Sequence, residues 1–204
     1  MLVTLVLLGG CGASLLPKAP PVAARHTLDD GAPSVASPAL RASAPTLIVS
    51  LPIAAAGFDT AHIVYLRQTQ QIEHFAFNDW ADTPANMLAP LIARRIERTG
   101  AFRAVLTAPT GATGRYRLDT ELVRLQQDFT QQPSQVRLTL RAVLIDTSTR
   151  SVIARREFDA SLATAADDPY AGVRTARLLT QQVLGELAAF CAASVPLTTT
   201  GSAP

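Results

Sequence analysis

Between residues 136 and 144 every second position is apolar, Val136, Leu138, Leu140, Ala142 and Leu144, with Arg137, Thr139 and Arg141 between them. A period of two predicts a strand with one buried and one wetter face. The next segment places Val152, Ala154, Phe158, Ala160 and Leu162 among Arg155, Glu157, Asp159 and Ser161, and the turn DTSTR (146–150) joins the two as an antiparallel pair. Upstream, 117–129 carries Leu118 and Leu122 on one phase and Val123, Leu125 and Phe129 on the other, a change that predicts a bulge or a strong twist. Shorter strands are predicted at TLIVSLPI from Thr46, at 62–66 and 71–76 as a hairpin around the polar turn RQTQ, and at 102–106 ahead of the turn-rich PTGATG.

Two segments switch to helical spacing. Asp82-Thr83-Pro84 combines a capping side chain with a proline that needs no donor, and Met87, Leu88, Leu91, Ile92 and Ile96 then share one face up to Gly100. Pro90 removes the bond to the carbonyl of Asn86 and is expected to kink this helix or detach its first turn. Asp168-Pro169 repeats the device and opens a helix through Cys191, with Val173, Ala176, Thr180, Val183, Leu187 and Phe190 in its stripe. The expected fold is α+β in two layers: one mainly antiparallel sheet with two helices packed on it.

The N-terminal 45 residues have a different texture. MLVTLVLL is an apolar run too short to span a bilayer, where a helix needs roughly 20 residues. Gly9, Gly10 and Cys11 follow it, and six of the 14 prolines fall between Pro17 and Pro45. The alternative is a buried N-terminal strand that happens to contain a cysteine, but a proline-rich stretch cannot continue such a strand in a sheet. Leu8-Gly9-Gly10-Cys11 resembles the lipobox of bacterial lipoproteins, although no Lys or Arg precedes the apolar run as a leader usually has. That resemblance implies cleavage before Cys11, diacylglycerol on its sulfur, and sorting to the outer membrane because Gly12 rather than Asp follows. The expected organisation is a leader over 1–10, a lipidated cysteine with a flexible Pro/Ala-rich tether over 11–45, one folded domain over 46–194, and a flexible tail over 195–204.

Composition narrows the chemistry. The 204 residues are 48% hydrophobic and 17% charged, a globular balance, and a net charge of +2 spread over 18 basic and 16 acidic residues marks no continuous surface for nucleic acid. His26, His62 and His74 lack zinc-ligand spacing, GATGR at Gly111 lacks the ending of a phosphate-binding loop, and no nucleophile elbow occurs. Asp79 with Asp82, and Asp167 with Asp168, precede proline-started helices, so helix capping explains them better than acid–base work. Cys191 falls in an apolar stripe and reads as core, a free thiol once Cys11 is acylated. These observations point away from an enzyme and imply no metal and no cofactor.

The segment IVYLRQTQQIEHFAFNDWADTPANMLAPLIARRIERTGAFRAV (63–105) resembles the ABC-type transport auxiliary lipoprotein family, the PqiC-like group. The likeness continues through YRLDTELVRLQQDFTQQPSQVRLTLRAVLIDTSTRSVIARREF and the last helix, from about Thr46 to Ala193, and Tyr65, Arg67, Ile72, Phe75 and Trp80 ahead of a helix carry its motif. It implies a non-catalytic component that works with an MCE-type substrate-binding protein and an ABC permease and ATPase to move lipids or other hydrophobic molecules across the envelope. The expected place is the outer membrane, lipid-anchored and facing the periplasm, with homo-oligomers allowed. A stand-alone envelope lipoprotein that binds an apolar ligand or has a structural role is the alternative. Arg67, Phe75 and Trp80 are candidates for a partner surface or a rim contacting lipid; equally, Trp80 packs over the helix start and closes the core.

Overall fold

The computed structural model describes residues 22–29, 31 and 43–195. In chain order the elements are β1 (Ala24–His26), β2 (Thr46–Val49), β3 (Ile53–Ala54), β4 (His62–Leu66), β5 (Glu73–Trp80), α1 (Pro84–Glu97), β6 (Ala104–Thr107), β7 (Tyr116–Asp128), β8 (Gln135–Asp146), β9 (Ser151–Ala163) and α2 (Pro169–Ser194). The class is the expected one, α+β, with both helices on one nine-stranded sheet.

β7 organises that sheet. One of its edges pairs antiparallel with β8 along its whole length, and β8 pairs antiparallel with β9. Its other edge is divided among β2, β3 and β4, all parallel to it. β6 extends β2, while β5 and β1 extend β4, so the sheet is mixed although its long ladders are antiparallel.

The phase change within β7 is a bulge. The register shifts between Leu122 and Arg124, so Leu122 stays opposite Leu140 while Leu125 comes opposite Leu138. One extra residue keeps the apolar positions on both sides of it turned to the same face. Leu138, Leu140, Ala142 and Leu144 are fully buried there against Leu88, Ile92 and Ile96 of α1 and Val183, Leu187 and Cys191 of α2. Each such leucine contributes roughly 1.5–3 kcal/mol by leaving water.

β9 departs from its expected alternation. Only Phe158 is buried, whereas Val152 is 57% and Leu162 39% exposed. β9 is an edge strand, and a second register shift, opposite Leu144 and Ile145, pairs Val152 with Ile145 and turns it away from the helices.

Both helix starts follow their sequence signals. Thr83 Oγ1 accepts from the Asn86 N–H and Asp168 Oδ1 from the Ala171 N–H at 2.8 Å, each ahead of a proline in the first turn. α1 runs unbroken through Pro90, contrary to the expected interruption. Pro90 and Asn86 are both exposed, so the carbonyl that loses its donor faces water rather than the core. Gly100 sits at φ 66°, the left-handed position a helix exit requires.

Residues 22–29, within the span expected to be tether, belong to the fold. β1 pairs with β5, the Ala81 N–H donates to the His26 carbonyl at 2.7 Å, and Leu28 is buried in the core. Arg94 holds the Asp29 carboxylate at 2.7 Å and Arg177 donates to the Asp29 carbonyl at 2.6 Å. A short edge pairing, one buried leucine and two arginine clamps suffice to order a stretch whose composition reads as linker. The proposed attachment residue, Cys11, lies outside the described residues, as do the leader and 196–204 of the tail.

Candidate functional site

The hairpin of β4 and β5 brings two of the three sequence candidates together. Its register sets Tyr65 opposite Glu73, which places Arg67, just past β4, beside the same carboxylate across the turn. The Tyr65 hydroxyl donates to Glu73 Oε2 at 3.0 Å, and Arg67 donates through Nε to Oε1 at 2.9 Å and through Nη2 to Oε2. The Phe75 ring lies 4.4 Å from that of Tyr65, and Phe129, at the end of β7, meets both edge-on at 5.8 and 6.3 Å. The Arg67 guanidinium stands 5.6 Å from the Tyr65 ring centre, within cation–π range.

Trp80 is not part of this surface. It ends β5, is buried to 4% exposure, and joins Ile63, Leu125 and Val173 in the core near the start of α2. The core-closing reading is the one the structure supports. Sequence reasoning missed Glu73, whose signal is its place six residues after Arg67 across a hairpin turn.

Electrostatically the cluster is fixed. Hydrogen bonds from Arg67 hold the Glu73 carboxyl below its ordinary range, the Arg67 guanidinium is raised by the same bond, and burial, then the bond to Glu73, raises the Tyr65 hydroxyl. Glu73 and Arg67 are thereby held charged and Tyr65 held protonated around pH 7, so none of the three is poised to exchange a proton. What remains is an ion-paired arginine beside a cluster of three rings, one of them edge-on to the other two. Burial likewise pushes the Cys191 thiol up to about 12, which makes it a core residue rather than a nucleophile.

The aspartate pairs divide. Asp168 caps α2, but Asp167 accepts from the Ser134 N–H at 2.7 Å and ties the β7–β8 loop to that helix start. Asp82 accepts from the Thr83 N–H and from the Asn86 amide, whereas Asp79 lies in β5 and takes the His62 ring at 2.8 Å instead of capping. Among the described residues no group of three His, Cys, Asp or Glu is placed to hold a metal.

The family model for the ABC-type transport auxiliary lipoprotein component matches residues 26–188. The chain belongs to this family. The match begins at the end of β1 and ends in α2, so it spans most of the folded domain and takes in residues 26–45 of the span that composition assigned to the tether. No curated protein matches the chain. Among solved structures, protein XCC0632 from Xanthomonas campestris, of a family of unknown function, is 22% identical with a TM-score of 0.69, covering 85% of this chain and 93% of that one. An uncharacterized protein is 14% identical with a TM-score of 0.61, covering 72% of this chain and 91% of the other. These likenesses concern the fold. As a transport-auxiliary lipoprotein the chain carries, among its described residues, no helix long and apolar enough to cross a membrane.

Proposed function

We propose that this auxiliary lipoprotein is anchored in the outer membrane through lipid on Cys11, faces the periplasm, and serves an ABC transporter with an MCE-type substrate-binding protein. It acts by binding and assembly while lipids or other hydrophobic molecules move across the envelope, and ATP is hydrolysed by a partner. The observation that carries this reading is the family match over 26–188, preceded in the same chain by the lipobox-like Leu8-Gly9-Gly10-Cys11. Within the domain, exposed Arg67 and half-buried Phe75 offer the contact, pre-shaped by Glu73 and Tyr65 so that little side-chain freedom is lost on docking.

Mass spectrometry of the protein extracted from membranes tests both halves of the proposal. The expected result is an N-terminal acylated Cys11 and co-purification of an MCE protein, a permease and an ATPase. An unmodified Cys11, or extraction without any of these partners, rejects the corresponding half. Arg67→Ala is expected to keep the fold, because the side chain is 64% exposed, while partner recovery falls. Unchanged recovery removes Arg67 from the contact.

A further inference from the structure

α1 and α2 lie side by side on the sheet, and a groove of about 130 Å³ opens between them. Its apolar lining comes from Leu28, Leu91 and Leu184, and its cationic lining from Arg94 and Arg95 in the last turn of α1 and Arg98 at its C-cap. Arg94 is engaged by Asp29 at 2.7 Å, but neither Arg95 nor Arg98 has an ion-pair partner among the described residues. Arg95 lies across α2 at Gly185, where an added Cβ would meet its Nη2 at 3.0 Å, so this glycine leaves room for the guanidinium.

Arginines at a helix C-terminus complement the helix dipole, and that alone accounts for their charge. It does not account for Thr180 on the other helix. Thr180 lines the same groove, is 1% exposed, and its hydroxyl has no hydrogen-bond partner. A buried helical threonine ordinarily returns its hydroxyl to the carbonyl one turn back. An unpaired donor, two unpaired guanidinium groups and adjoining leucines form a site for a molecule with an anionic oxygen-rich head and an apolar beginning.

We propose that this groove binds the phosphate head of an anionic phospholipid. Arg95 and Arg98 donate to phosphate oxygens, the Thr180 hydroxyl donates to an oxygen at the floor, and the first methylenes rest on Leu28, Leu91 and Leu184. The volume suits a head group and excludes a pair of acyl chains, which stay outside the groove. A free phosphate would leave the leucines unused. The proposal deepens the lipid-transport reading and rests on it for the choice of a lipid; it is measured without partners, so its failure is separable from a failure of partner co-purification.

The test titrates the full chain with monomeric short-chain phosphatidylglycerol, short-chain phosphatidylcholine, inorganic phosphate and an oligoglutamate peptide. Phosphatidylglycerol is expected to bind most tightly. Arg95→Gln with Arg98→Gln should weaken it by roughly tenfold or more, as loss of charged hydrogen bonds does. Thr180→Val should weaken it severalfold while thermal stability holds or rises, a combination that a merely structural threonine would not give and that keeps the proposal testable if the arginine pair fails to fold. Arg155→Gln with Arg156→Gln on β9 should leave binding unchanged. No binding, or equal loss in the β9 pair, overturns the site; binding of inorganic phosphate as tight as the lipid, or tighter binding of oligoglutamate, overturns the lipid assignment.

Discussion

Leu140 and Arg141 are neighbours in β8, yet they belong to the two different faces of the sheet. Leu140 is fully buried under the helices, in a layer with Leu122 and Phe158 directly across on the flanking strands. Arg141 reaches Glu121 at 2.6 Å on one side and Glu157 at 3.0 Å on the other, with half its side chain in water. Four residues back along the same face, Arg137 donates to Asp159 at 3.0 Å through Nε, and Thr139 adds a bond to the same carboxylate at 2.7 Å. One face is therefore held by removal of apolar surface and the other is dressed with cross-strand ion pairs. Half-exposed ion pairs add little to stability, so the charged face serves mainly to keep a broad sheet wet and its register unambiguous.

The contrast gives its sharpest expectation at Leu140. Leu140→Ala should lower unfolding stability by about 2–5 kcal/mol in chemical denaturation, because a packed layer cannot close over the cavity. Arg141→Ala in the same measurement should cost less than about 1 kcal/mol, and comparable losses for the two would show that the ladder is structural. The smallest effect is a pH dependence. Bonds from Arg137 and Thr139 hold the Asp159 carboxyl at about 2, below its usual 3.8. A depressed folded value means that its stabilisation is complete above the unfolded value and is lost as pH falls through about 2. The stability difference between the parent and Asp159→Asn should accordingly shrink on acidification across that window; a difference that stays flat contradicts the Asp159 assignment.

Legibility in the sequence followed the distance over which each feature is specified. The β8–β9 turn, the β4–β5 hairpin, both helix caps and the bulge at Val123 were written in neighbouring residues, and all stand in the structure. The parallel partners of β7 were not, because three separate strands share one edge of it and each is joined to it by dozens of residues. β1 was hidden for a related reason: three residues gain their order from β5, some fifty positions away. In the contact surface, Arg67 and Phe75 were legible from the hairpin, while Glu73 became visible only once the register was fixed. Thr180 stood in the helical stripe, but only the packing of α2 reveals that its hydroxyl is unpaired. Trp80 carries no local mark that separates a core ring from a docking ring, and burial decided it.

The incorporation of β1 into the sheet sets a geometric limit on the proposed anchor. Were the chain free from Cys11 to Pro45, its contour could carry the domain on the order of 120 Å from the bilayer surface. The described residues begin at Val22, ten residues lie between it and Cys11, and the chain from one to the other spans at most about 40 Å whatever its conformation. With lipid on Cys11 as proposed, that span would confine the domain to a shell close to the membrane. It then meets partners by their reaching toward that membrane, and not by its own excursion across the compartment.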